Sequence, residues 1–243
     1  MPDGSAVLAA ENEGGIGMLK RTISGAVLIL IMIGLMYAGG NLLLIGLLAM
    51  SLIGLWEFCH AVSTGGHKPY LYLGMAGTLF YYGLIWSAIE NVWSSAIFLL
   101  YIVVFLMALM IRSVMAYPER RVEDGALTLM GFLYVPVLFS FLYFLREQDD
   151  GIFYVWYVFL ASWGCDTCAY LAGRFFGKHK MSPHLSPKKT VEGAIGGTLG
   201  AILLSMIYAF CIHSFVHVDS AELYILSFLI GLFGAFLGQL GDL

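Results

Sequence analysis

Charge is what this chain has least of. Lys and Arg number 12 and Asp and Glu 16, which is 12% of 243 residues, where an ordinary soluble domain carries roughly 25%. So few charges cannot cover a soluble fold of this length. That excludes a soluble enzyme, a disordered chain and a disulfide-built secreted scaffold. Segments alternating apolar and polar residues, the mark of a membrane β-barrel, are missing too. Cysteine is sparse. Cys59, Cys165, Cys168 and Cys211 lie in or beside apolar runs and read as buried free thiols, because a structural metal site needs its ligands gathered in one place. No basic cluster precedes a short apolar core at the start, so the opening MPDGSAVLAAENEGG reads as a polar tail and not as a cleaved signal. Nor is there an excess of positive charge: the net of −4 argues against a nucleic-acid partner.

What is present is apolar. Hydrophobic residues make up 60% of the chain, and a bilayer core needs about 20 of them per helix. Eight runs qualify approximately: 22–38, 41–58, 70–89, 94–115, 127–145, 152–172, 194–215 and 223–240. The expected fold is therefore all-α, a polytopic integral membrane protein of about eight transmembrane helices. Gly39-Gly40 joins the first two runs and predicts a tight helical hairpin. The expected organisation is a polar tail over 1–18 and a single transmembrane domain over 19–243, with a long loop at 173–193.

The basic residues sort by side. With the N-terminus inside, Lys20, Arg21, Lys68, Arg112, Arg120, Arg121, Arg174, Lys178, Lys180, Lys188 and Lys189 all share one face, and Arg146 alone lies on the other. Positive charge near span ends stays on the cytoplasmic side, so both ends are expected there. The outer loops are short, which leaves the inner face for chemistry.

Asp166 lies near the inner end of the sixth run. A carboxylate there costs a few kcal/mol unless it is paired or wet. Asp166, Tyr170 and Arg174 follow at helical spacing on one face. A structural ion pair between helices is the plainer reading, and a functional acid the preferred one. Cys165 and Cys168 bracket Asp166, but with no second pair they read as small residues that allow helix contact. The loop 173–193, GRFFGKHKMSPHLSPKKTVEG, holds five basic residues and two Ser-Pro pairs. Ser186-Pro187 predicts a helix start, with Ser186 as cap and Thr190 as the alternative. Lys188 and Lys189 would then sit beside free backbone N–H groups, a ready phosphate site. His179 and His184 read as solvated loop residues. Glycines at 193, 196, 197 and 200, and at 231, 234, 238 and 241, form stripes for close helix packing and leave room for a homodimer. They are no nucleotide fingerprint, since no strand precedes them.

At these residues the chain resembles the phosphatidate cytidylyltransferase (CDP-diacylglycerol synthase) family. The resemblance rests on Asp166-Thr-Cys-Ala-Tyr170, Gly173-Arg174, Phe176-Gly-Lys178, Ser186-Pro-Lys-Lys-Thr190, Glu192-Gly193, Gly241-Asp-Leu243 and the opening Leu19-Lys-Arg-Thr-Ile-Ser-Gly25. The Ser-Pro-Lys-Lys-Thr-x-Glu-Gly string is the most specific piece. It implies transfer of CMP from CTP to phosphatidate at the inner face of a bacterial cytoplasmic membrane, in phospholipid biosynthesis. The implied cofactor is Mg²⁺, held by Asp242 and Asp166. The implied catalytic residues are Asp166, Lys188, Lys189 and Asp242, with Arg174, Lys178, Ser186 and Thr190 binding substrate. One departure stands out. The family continues past Gly-Asp-Leu into a segment carrying Ser, Lys-Arg, Lys-Asp, His-Gly-Gly and Asp-Arg, and none of it follows here. The expectation is a truncated chain, with the activity belonging to the intact gene product. The alternatives are a transporter of an anionic solute, an inactive assembly protein, and another CTP-dependent lipid enzyme such as a polyprenol kinase.

Overall fold

A computed structural model describes residue 25 and residues 27–90, 95–182 and 186–242. The expected polar tail, Lys20-Arg21, His184 and most of the second outer loop lie outside the described residues. Packing divides the chain into two compact units, one up to Phe144 and one from Leu145.

The first unit begins with α1 (Val27–Ala38) and α2 (Gly40–Thr64). The predicted hairpin between them is there. Gly39 and Gly40 both take positive φ, 62° and 51°, which a side-chain-bearing residue adopts only with strain. α3 (Leu71–Glu90), α4 (Ser95–Met115) and α5 (Val122–Phe132) follow. A π turn over Leu133–Val137 holds Pro136 and leads into α6 (Leu138–Arg146). Proline cannot donate to the helix ladder. Tyr82 donates from its hydroxyl to the Pro136 carbonyl at 3.3 Å. Tyr81, Tyr101, Phe105 and Phe132 pack stacked, edge-on or tilted against one another beside this bend.

Asp124, fully buried at the start of α5, ties the α2–α3 connection down. It accepts from the Lys68 N–H at 2.7 Å and the Arg121 N–H at 3.0 Å. Thr128 beside it accepts from the Tyr70 N–H at 2.8 Å. Asp124→Ala would orphan two N–H groups that now bond a carboxylate. We expect a loss of about 2–4 kcal/mol, seen as a lower unfolding temperature of the purified protein in detergent. An unchanged midpoint would show that water replaces the carboxylate there.

The second unit starts with two short helical turns, α7 (Gly151–Tyr154) and α8 (Trp156–Phe159). A second π turn spans Leu160–Gly164, and α9 covers Cys165–Phe176. The sixth apolar run is thus helical but not one continuous rod. The π turn ends two residues before Asp166 and re-phases the face on which Asp166 sits. A small antiparallel hairpin follows, β1 (Lys180–Ser182) with β2 (Ser186–Thr190), in the register Lys180–Thr190 and Ser182–Ser186. Then come α10 (Val191–Ile212) and α11 (Ser220–Gly241).

Glycine brings α9, α10 and α11 together. A Cβ on Gly193 would lie 3.0 Å from the Ala169 carbonyl oxygen, and one on Gly197 3.0 Å from that of Cys165. A Cβ on Gly231 would lie 2.8 Å from the Ile202 Cα. The predicted packing stripes hold at these positions. At Gly238 and Gly241 nothing comes within 4 Å. Cys165 and Cys168 are free thiols, with Cys165 buried, and both abut the α10 glycines.

Each of the eight apolar runs is mostly helical where it is described, the exceptions being Tyr70, Val155 and residues 213–215. Among the described residues five helices are long and apolar enough to cross a membrane: Gly40–Thr64, Ala96–Met115, Val122–Arg146, Val191–Ile212 and Ser220–Gly241. Large apolar side chains cover the outside as well as the inside, with Leu30 68%, Val114 72% and Leu237 65% exposed. In water such a surface would aggregate; against lipid it is the solvated one. The protein is an all-α, multi-pass membrane protein.

Candidate functional site

One cavity of about 400 Å³ lies in the second unit, where α9, from Asp166 to Arg174, meets β2, the start of α10 and the C-terminal end of α11. Each element brings its own chemistry. α9 contributes Asp166, Tyr170 and Arg174, the predicted i, i+4, i+8 face, together with Ala169 and Gly173. The Arg174 guanidinium donates to the Tyr170 hydroxyl at 3.4 Å, which aligns the side chain along the wall. β2 contributes Lys188 and Lys189, and α11 contributes Gln239 and Asp242.

The predicted helix start at Ser186 is corrected. Residues 186–190 form a strand, and α10 begins at Val191 with Thr190 as its cap. Thr190 Oγ1 accepts from the Gly193 N–H at 3.1 Å. The reason is visible in the pairing: β2 satisfies its backbone against β1, and Pro187, with no N–H to give, is tolerated at the edge of so small a sheet. Lys188 and Lys189 therefore reach the cavity from a strand and not from a helix N-terminus. Replacing Thr190 with Ala should cost about 1 kcal/mol of helix stability, measured as faster amide exchange at the start of α10. Thr190→Ser should restore it. Equal exchange in both variants would mean that the cap is dispensable.

Glu192 does work that sequence reasoning did not assign to it. Its carboxylate accepts from the backbone N–H groups of Lys178 and His179, each at 3.1 Å, and pairs with His179 Nδ1 at 2.6 Å. His179 is exposed, as expected of a loop residue, yet Glu192 holds it. The loop after α9 is thus pinned to the first turn of α10, which fixes the hairpin over the cavity.

Of the expected site residues, Asp166, Arg174, Lys188, Lys189, Thr190 and Asp242 line this one cavity. Lys178 and Ser186 do not line it. Lys178 is held by its backbone N–H on Glu192, and Ser186 pairs with Ser182 across the hairpin. Lys189 Nζ lies 3.1 Å from Asp242 Oδ2. That ammonium is fully occluded and makes no hydrogen bond of good geometry, so the contact is an ion pair without directional bonding. Asp242 itself is largely exposed.

Gln239 also escaped the sequence reading. Its amide nitrogen lies 3.1 Å from the Ala194 carbonyl, 3.1 Å from Thr198 Oγ1 and 3.2 Å from Cys165 Sγ. The signal was present: it is an amide in an otherwise apolar stretch of helix, three residues before Asp242.

Two acids and three cations share one cavity walled by three helices and a strand, a charge set that suits a polyanion. Among the described residues no group of three or more His, Cys, Asp or Glu side chains could hold a metal unaided. The two carboxylates suit an ion that takes its remaining oxygens from water and from a phosphate ligand.

A family model described as the cytidylyltransferase family matches residues 19–243. The chain is similar to a phosphatidate cytidylyltransferase of Staphylococcus haemolyticus, with 29% identity over 93% of this chain and 83% of that protein. It is similar to the Staphylococcus epidermidis protein of the same name, with 28% identity over 93% and 83%. The Staphylococcus aureus protein of that name shares 29% identity over 93% and 83%.

Proposed function

The chain belongs to the cytidylyltransferase family, and from that premise we propose that it transfers CMP from CTP to phosphatidate, giving CDP-diacylglycerol and pyrophosphate. The observation that carries this reading is the convergence of Asp166, Arg174, Lys188, Lys189 and Asp242 on one cavity. In the reaction a phosphate oxygen of phosphatidate attacks the α-phosphorus of CTP. A new P–O–P bond forms, the α–β bridge breaks, and its electron pair leaves with pyrophosphate. The lipid is its own nucleophile, so no Ser, Cys or His nucleophile is needed. What the protein must supply is positioning and charge compensation for two polyanions.

Arg174 suits bidentate capture of a phosphate, and Lys188 and Lys189 add point charges from the opposite wall. Mg²⁺ fits the donor set and would be held by Asp166 and Asp242. Bound there, it would neutralise charge building on the phosphates. Thr190 Oγ1 accepts the capping bond from the Gly193 N–H, which leaves its own O–H to donate into the cavity it lines. The apolar surface of the helices leaves acyl chains in lipid while the headgroup enters the cavity. We place the cavity on the cytoplasmic side of a bacterial inner membrane, as the distribution of Lys and Arg supports.

The test is direct. Membranes carrying the full-length protein are incubated with CTP, Mg²⁺ and phosphatidate, and the lipid products are identified by mass. CDP-diacylglycerol with an equal yield of pyrophosphate is the expected result. CDP with a newly phosphorylated lipid would make it a kinase instead, and no CTP-dependent product would end the reading.

A further inference from the structure

The Gln239 side chain has two distinguishable ends, and the structure shows which way round it sits. A backbone carbonyl can only accept. The amide end 3.1 Å from the Ala194 carbonyl must therefore be the NH₂ group, since an oxygen there would oppose another oxygen. Thr198 Oγ1 donates its own proton to the Ala194 carbonyl, at 3.0 Å, so it meets the Gln239 nitrogen as an acceptor as well. Cys165 Sγ completes the set. Three acceptors compete for two N–H bonds, and the nitrogen is saturated. The carbonyl Oε1 is the opposite case. It has no protein donor among the described residues, and Gln239 lines the cavity. An amide clamped at its nitrogen presents a fixed acceptor at its oxygen.

The rest of the cavity provides charges for anions and for a metal. Tyr170 and Thr190 add hydroxyls to the lining, but Gln239 brings an amide whose nitrogen is held by side-chain and backbone partners together. We propose that Gln239 Oε1 is a ligand-reading acceptor that takes a hydrogen bond from a donor brought in with the nucleotide. This rests on the reading of the cavity as the CTP site. Two donors have the right chemistry: the 4-amino group of cytosine, and a water carried by the divalent ion. The first would make Gln239 a specificity residue. UTP presents an oxygen at that position and would set acceptor against acceptor, a mismatch that polar sites reject strongly. The second would make it a group that orients the ion's water.

Binding separates these sources. CTP and UTP affinities of the purified full-length protein are measured by equilibrium retention across a Mg²⁺ titration, for the parent, Gln239→Met and Thr198→Val. Turnover with phosphatidate is followed separately. Gln239→Met removes the acceptor and keeps the bulk. Thr198→Val loosens the clamp and leaves the acceptor in place. If the base amine is the donor, Gln239→Met narrows the CTP-over-UTP ratio by about 10-fold or more, while Thr198→Val largely keeps it. If the metal's water is the donor, the ratio stays and the Mg²⁺ half-saturation rises about 10-fold. A purely structural Gln239 would weaken both nucleotides equally in both variants, with no change in Mg²⁺ requirement, and that result overturns the proposal. So does a parent that retains neither nucleotide. CTP retention without CDP-diacylglycerol formation would sink the assigned reaction alone.

Discussion

Asp242→Asn in the full-length protein should cut CMP transfer by about 10²–10³-fold, and Asp166→Asn should do the same. The two carboxylates reach one cavity from different helices, α9 and α11. Each is a hard oxygen ligand, and amides replace them in shape but not in charge. A site with only two protein carboxylates has no third to fall back on among the described residues, so the loss should be severe at either position. It should also carry a signature. The Mg²⁺ needed for half-maximal rate should rise in both variants, and any fall in unfolding temperature should be confined to Asp242→Asn, which leaves the occluded Lys189 ammonium without its counter-charge. Initial rates across a Mg²⁺ titration test this. Full activity with an unchanged Mg²⁺ requirement in both variants would move the metal elsewhere.

Removing cations from the opposite wall should act in another direction. Lys188→Ala combined with Lys189→Ala should raise the KM for CTP or phosphatidate by about 10-fold or more and lower kcat/KM by about 10²-fold. Lys189 alone is the more informative change. Its ammonium sits 3.1 Å from Asp242 Oδ2 and offsets the negative charge of the acid pair. Without it the carboxylates should hold Mg²⁺ more tightly while the triphosphate is held less well. The expected pattern for Lys189→Ala is a lower Mg²⁺ half-saturation with a higher CTP KM. Changes of the two in the same direction would show that Lys189 does not face the metal and the nucleotide together. Lys188, which makes no ion pair with either acid among the described residues, should raise KM without the Mg²⁺ effect.

Gln239 and Glu192 explain why the site was only partly legible. Asp166 betrayed itself as a carboxylate where a bilayer penalises charge, Arg174, Lys188 and Lys189 as cations of a long inner loop, and Asp242 through the family resemblance. Gln239 carries no charge, and a single amide in a helix is ordinarily a packing residue. What it does depends on Ala194, Thr198 and Cys165, which are 45, 41 and 74 residues away. Glu192 lies in the quoted motif, but its task of holding Lys178 and His179 is set by a turn whose shape no local spacing gives. The cap illustrates the same limit. Ser-Pro and Thr-x-Glu are both valid helix starts by local chemistry. Pairing between residues 180–182 and 186–190 decided for the second.

The amino-acid order by itself determined the fold class, the apolar runs, the glycine hairpin at 39–40 and most of the charged chemistry. These follow from transfer free energies and helical periodicity, which are local and additive. Tertiary structure alone decided the rest: the breaks in the fifth and sixth runs, the strand that presents Lys188 and Lys189, and the closeness of Lys189 to Asp242. Those depend on which backbone groups find partners and how near glycine lets three helices come. Such contacts join residues far apart in the chain, so no window along it contains both halves of the interaction.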